Sequence, residues 1–236
     1  MKFDVVVSKF DEDLDKCQFP SAADYAKETA TFKALEVANR IEKEETDGAS
    51  PFFIVGSDTV VEAPDGTIME KPGNNEEAMM MLLSLQGVTH QVHSGVGIVF
   101  PDPARPDGKL VKSFAETTRV TFAPLQEAEI RAYIKTGEPF DKAGGYGACF
   151  FLRGHSNTRM NTANLFYSHV VAVLLALYEN KLLTSRVCLF RGAGIQGPAG
   201  AFVSSITGCY FNVMGFPVHK FASKLSTMIE EGEVKL

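Results

Sequence analysis

The residues best placed to do chemistry lie in one stretch, "IVGSDTVVEAPDGTIMEKP", residues 54 to 72. The apolar run Phe52-Phe53-Ile54-Val55 reads as a buried strand, and three residues later it delivers a carboxylate, Asp58. Pro64-Asp65-Gly66 is a turn signal between β-prone runs, so Phe52 to Ala63 and Thr67 to Glu70 are predicted to form a hairpin. Folding about Asp65-Gly66 sets Lys71 opposite Thr59 or Val60 and brings Asp58 and Lys71 to one end of the ribbon. Such a pair suits a catalytic site, and it equally suits a structural ion pair at a hairpin base. Two further groups carry charge. Lys142, with Glu138 and Asp141, sits on the loop G-E-P-F-D-K-A-G-G-Y-G, where small residues let backbone N–H groups approach a phosphate; a plain turn with solvated charges is the other reading. The acidic loop Asp11-Glu12-Asp13 could ligate Mg²⁺ through oxygen, or be merely solvated.

Other chemistries are poorly served. His90 and His93, three apart on a strand, point to opposite faces and so do not share a metal. Ser57 lacks a nucleophile elbow, and the chain has no Walker A loop and no G-x-G-x-x-G after a strand.

The elements that must hold these residues alternate between the two periodicities. Phe3 to Val7 reads as a strand. A helix is predicted from Ser21, capped with Asp24 three residues on, through the apolar set Tyr25, Phe32, Leu35, Ala38 and Ile41 to Asp47-Gly48; Lys33 lies at the edge of its stripe. Asn74 to Leu85 and Gln126 to Lys135 read as helices, and Gln91 to Phe100 and Leu110 to Phe122 as strands. Gly200 to Thr207 and Cys209 to Val213 look like closing strands, followed by a terminal helix from Val218 to Glu231. The alternation indicates an α/β fold with a mixed sheet.

Composition bounds the function. The 236 residues are 45% hydrophobic and 22% charged, as in ordinary soluble domains. A net charge of -6 and a pI near 5.4 argue against a broad nucleic-acid groove. The four cysteines, Cys17, Cys149, Cys188 and Cys209, lack metal or disulfide spacing and suit a reducing cytosol, so a cytoplasmic location is expected. The start, MKFDVVVSKFDED, does not read as a signal peptide, and no apolar stretch reaches the roughly 20 residues of a membrane span, so no membrane partner is expected. Residues 148–194 differ from the rest: five Lys/Arg against one acid give +4, leaving -10 elsewhere within the net -6.

The motifs "VGSDTVV", "EKP" followed by "EEAMMMLLSLQGVTHQVHSGVGIV", "TGEPFDKAGGYG", "IQG" and "NVMGFP" resemble, in order, those of the Maf-like nucleotide pyrophosphatases. Within that family, "KFDEDLD", "YAKETATFKALEVANR" and "GFP" look most like the Maf domain of eukaryotic acetylserotonin O-methyltransferase-like proteins. The resemblance covers about 1–147 and 195–225 and implies a single Maf-like domain over 1–236, interrupted by the atypical insert at 148–194. It implies an ITPase-like mixed sheet with flanking helices around a nucleotide cleft, often dimeric, so a homodimer is expected.

The activity implied is hydrolysis of a nucleoside triphosphate, dTTP, UTP or a modified pyrimidine nucleotide, to monophosphate and pyrophosphate with Mg²⁺ or Mn²⁺. By resemblance, Asp58 is the proton acceptor that activates water. Thr59 and Gln196 are tied to base selection, and Glu12, Lys33, Lys71 and Lys142 line the cleft; Asp58 and Glu12 would hold the metal. Two features depart from the family pattern. The first strand and its Ser-x-Ser-Pro-Arg-Arg loop do not occur in this sequence, and the 148–194 segment separates motifs that are nearly contiguous in the family. Loss of a bidentate arginine contact to phosphate would cost roughly 1.5–3 kcal/mol in binding. Loss of a central strand would leave two unpaired sheet edges. A catalytically impaired form, binding at most a nucleotide or a partner chain, is therefore the alternative expectation.

Overall fold

A computed structural model describes residues 2–4, 6–44, 53–146, 184–187 and 197–234. The sheet is built on two long strands, β4 (Thr89–Pro101) and β5 (Lys109–Phe122), paired antiparallel around the turn-rich segment PDPARPDG. Strand β2 (Ile54–Glu62) lies antiparallel to β4 along its whole length, and β7 (Val203–Thr207) closes the far side against β5. The predicted hairpin forms: β3 (Ile68–Met69) pairs with the end of β2, Val61 with Met69 and Glu62 with Ile68. Its turn depends on Gly66, whose φ of 86° is costly for any residue with a side chain.

The other side of β2 overturns one expectation. Strand β1 (Lys2–Asp4) and strand β6 (Thr184–Val187) run parallel to it, with β6 between them, paired to both β1 and β2. The β2 edge that an absent central strand was expected to leave unpaired is thus taken at Ile54 and Val55 by residues of the 148–194 segment. Apart from the residues of β6, that segment lies outside the described residues.

Two layers of helix cover the sheet. Helix α1 (Ala22–Glu44) starts where Ser21 Oγ accepts from the Asp24 N–H at 3.1 Å and packs on one face. Its buried side takes in Tyr25, Ala38 and Ile41 of the expected apolar set but is centred on alanines. Phe32 is exposed and stacks on Phe10, while Ala26, Ala30, Ala34 and Val37 are fully buried. Gly56, Gly95 and Gly97 in the sheet explain this. A Cβ on Gly95 would lie 2.1 Å from the Ala26 carbonyl oxygen, and one on Gly97 2.6 Å from Thr31 Cα. Small residues on both surfaces let the helix backbone approach the sheet closely, so alanines become the core.

On the opposite face lie α2 (Asn75–Leu85), capped by Asn74, and α3 (Glu127–Ile134), which bury Ala78, Leu82, Leu85 and Ile130 against Val61, Val92, Val120 and Phe122. The strand expected at Cys209 to Val213 is instead a short helical turn, α4 (Tyr210–Val213). Asn212, fully buried, decides the matter: its amide donates to the Val92 carbonyl and to Thr118 Oγ1, each at 3.0 Å, which a strand there would not permit. Helix α5 (Val218–Glu230) follows and closes the second apolar cluster through Phe221, Leu225 and Met228.

Candidate active site at an open strand edge

The pairing of β2 leaves a gap. One edge is taken by β4 throughout; on the other, β6 pairs only with Ile54 and Val55, and β3 only with Val61 and Glu62. Between them the edge from Gly56 to Val60 has no strand partner among the described residues. A cleft of about 640 Å³ opens there, lined by Asp58, Thr59 and Val60, by Lys33 of α1, by Val7, Ser8, Phe10, Asp11 and Glu12 of the preceding loop, and by Glu70, Lys71 and Ala143. Ligands in α/β sheets lie where strand pairing diverges, and the gap is such a place.

The close approach of α1 brings Lys33 to the floor. Its Nζ donates to Asp58 Oδ1 at 2.7 Å and meets Glu12 Oε1 at 2.9 Å, with the lysine only 2% exposed. Burial alone would lower the Lys33 pKa, but the facing Asp58 and Glu12 carboxylates outweigh it and hold the ammonium above its ordinary range. Asp58 is raised: burial pushes its carboxyl up, and Lys33 opposes this only in part. Glu12, closer to solvent, is held below the usual range, because Lys33 and Lys71 outweigh its partial burial. One carboxylate in the cleft is therefore a stronger base than usual and its neighbour a weaker one.

The sequence paired Asp58 with Lys71. The hairpin register, continued, does set Lys71 level with Thr59, but Lys71 Nζ lies 3.7 Å from Glu12 Oε2, and the cation bonded to Asp58 is Lys33. Periodicity sets Lys33 only at the edge of a helical stripe; the family resemblance sets it in the cleft, where it lies, but does not pair it with Asp58. The sequence signal that could have found the pairing is a lysine at helical spacing within a run of alanines. Glu70, missed altogether, joins the cleft wall by accepting from Tyr25 Oη at 2.7 Å and Lys16 Nζ at 2.6 Å. Lys142 is not at the cleft surface. It is 2% exposed and donates to the Glu138 carbonyl and Asp141 Oδ1 of its own loop, both at 2.7 Å, while its neighbour Ala143 reaches the cleft. Gln196 lies outside the described residues.

The two histidines point to opposite faces: His90 meets Tyr146 Oη at 2.6 Å in the core, and His93 meets Glu62 and Thr117. Among the described residues, no group of three His, Cys, Asp or Glu side chains is arranged to hold a metal, and no helix is long and apolar enough to cross a membrane. Within the cleft the carboxylates of Asp11, Glu12, Asp58 and Glu70 outnumber the ammonium groups of Lys33 and Lys71.

Fold and site together define an α/β protein with a charged cleft at a broken strand edge, where a raised-pKa carboxylate faces fixed lysines. The family model described as Maf-like protein matches residues 1–151 and 191–228, and the chain belongs to that family. It is 35% identical over 228 residues to a human protein named probable bifunctional dTTP/UTP pyrophosphatase/methyltransferase protein. That match covers 95% of this chain but 28% of the human protein, so the chain spans under a third of that relative's length. It is 33% identical over 233 residues to a dTTP/UTP pyrophosphatase of Clostridium perfringens, covering 95% of this chain and 85% of that protein.

Proposed function

We propose that the chain is a nucleoside triphosphate pyrophosphatase that hydrolyses dTTP, UTP or a related pyrimidine nucleotide to the monophosphate and pyrophosphate. The observation that carries the reading is Asp58: a buried carboxylate with a raised pKa, lining a cleft of nucleotide size and held by a buried lysine. Its basicity suits the removal of a proton from water as the water attacks phosphorus. Lys33 and Lys71 stand where charge spreading onto phosphate oxygens needs neutralising. The relatives named above support the substrate class.

The donor set fits a hard divalent cation. Oxygen ligands predominate, and an acid-rich wall cannot by itself receive a triphosphate. Asp58 and Glu12 would hold Mg²⁺ or Mn²⁺ together with phosphate oxygens, the usual arrangement of one or two carboxylates plus substrate. The ion would supply charge neutralisation. The chain's own residues orient the phosphates and exclude bulk water from Asp58, which is 8% exposed, while Lys33 partly offsets the burial that disfavours its ionised form. The cytoplasm as location and a homodimer as assembly belong to the same reading.

Pyrophosphate release from UTP and dTTP with Mg²⁺ tests it, wild type beside Asp58→Asn. Turnover that falls by about 10²–10⁴ in the variant is expected. Turnover that persists unchanged in the variant removes Asp58 from the chemistry. The impaired alternative predicts no turnover even in the unmodified chain; the base and its lysines standing together in the cleft support the catalytic reading instead.

A further inference from the structure

Of the two cleft lysines, Lys71 is the more exposed, and it is placed by its neighbours in the chain. Ladder pairing between β2 and β3 ends at Met69, so Lys71 lies beyond it, with Nζ 3.7 Å from Glu12 Oε2. That long ion pair leaves the ammonium able to exchange Glu12 for a phosphate oxygen. The backbone beneath it is held far more firmly. Pro72 is buried on one side, and Glu70 on the other is tied to three separate elements.

Glu70 Oε1 accepts from Tyr25 Oη of α1 at 2.7 Å, Oε2 from Lys16 Nζ at 2.6 Å, and the Glu70 carbonyl from the Gly144 N–H at 3.0 Å. Lys16 also lies over the Tyr25 ring, 5.9 Å from its centroid, which joins the first two ties to each other. Tyr25 is 1% exposed and stands about two helical turns before Lys33. The face of α1 that delivers Lys33 to Asp58 therefore delivers Tyr25 to Glu70. Burial, and then the bond to Glu70, hold the Tyr25 phenol above its ordinary pKa, so it remains a donor across the neutral range.

A carboxylate in a cleft that receives a triphosphate opposes binding unless its charge is already engaged. Both Glu70 oxygens are engaged, by Tyr25 and Lys16. We propose that Glu70 is a positioning residue: its bonds to Tyr25, Lys16 and Gly144 fix the backbone from which Lys71 reaches the nucleotide phosphates. The inference rests on the nucleotide reading above. Glu70 acts through Lys71, and Lys71 touches the substrate.

The test is binding of α,β-methylene-UTP, in which carbon replaces the scissile bridging oxygen. It is measured by calorimetry with Mg²⁺ in the unmodified chain, Glu70→Ala, Lys71→Ala and the double variant. Electrostatics alone gives a definite sign. Glu70→Ala removes a negative charge and frees the Lys16 ammonium, so a merely acidic wall would then bind the anion more tightly. The positioning role gives the opposite sign, a Kd about tenfold higher, because Lys71 is no longer held within reach of phosphate. In the Lys71→Ala background the Glu70 substitution should add little, since the residue it positions is gone. Tighter or unchanged binding by Glu70→Ala overturns the proposal, and so do losses that simply add in the double variant. If Glu70→Ala does not fold, Tyr25→Phe removes one tie and no charge. A severalfold weaker Kd that disappears in the absence of Lys71 then supports the proposal, and an unchanged Kd overturns it. No binding by the unmodified chain overturns the nucleotide reading and this inference with it. Binding without pyrophosphate release from UTP overturns the hydrolysis alone.

Discussion

Lys33 stands between two carboxylates, 2.7 Å from Asp58 and 2.9 Å from Glu12, while almost wholly buried. Removing one partner of a buried pair strands the other's charge, so Lys33→Met is expected to lower stability by about 3 kcal/mol in urea melts at neutral pH. The same substitution has a kinetic signature. Lys33 opposes the burial that raises Asp58, so without it the Asp58 pKa climbs further. A base works only when ionised, and the acid limb of the kcat/KM profile should therefore move to higher pH in Lys33→Met. An acid limb that stays in place would show that another group titrates there.

At the scale of elements, the approach of α1 to β2 and β4 is what delivers Lys33, and three glycines permit it. Gly95→Ala would set a Cβ 2.1 Å from a helix carbonyl, a backbone atom that cannot swing aside. Overpacking of this kind costs about 1–3 kcal/mol and displaces the helix. The expected outcome is a lower melting temperature together with weaker nucleotide binding, read by calorimetry. Strand β6 is the second decisive element. It pairs on both edges, so Ser185→Pro removes a ladder donor from the interior of the sheet. Such a protein should be less stable by about 3 kcal/mol and should aggregate on mild heating, as light scattering would report. Unchanged stability would mean that β6 adds little to the sheet.

The pH stability of the whole molecule should be set in part by His90. Packed against Tyr146 and Phe122, it has its pKa pushed by burial from 6.5 down to about 4. The unfolded chain takes up a proton near 6.5 and the folded chain only near 4, so folding releases a proton within that window. Stability is full above 6.5 and declines as the pH falls towards 4, by about 3 kcal/mol. Denaturant melts at the two ends of this range should show the decline, and His90→Gln should flatten it. A slope that survives the substitution would assign the acid sensitivity to other groups.

Much of this molecule is legible in its amino-acid sequence. The β2–β3 hairpin follows from Pro64-Asp65-Gly66, helix α1 from Ser21 and Asp24, and α2 from Asn74, because turn and cap chemistry act over three or four residues. Asp58 stands out for a similar reason, as a charge directly after an apolar strand. Three things are not legible there, and each depends on segments far apart in the chain. The lysine bonded to Asp58 is the one 25 residues away on α1, brought in by glycine and alanine surfaces that carry no hydrophobic signal of their own. The strand that completes the sheet beside β2 comes from residues 184–187, whose composition marked them as foreign. Cys209 to Val213 looks β-prone and becomes helical because Asn212 has donors to satisfy on two other strands. Local periodicity and turn residues thus determined the elements, and the requirement to pair buried donors, edges and charges over long range decided how those elements make a cleft.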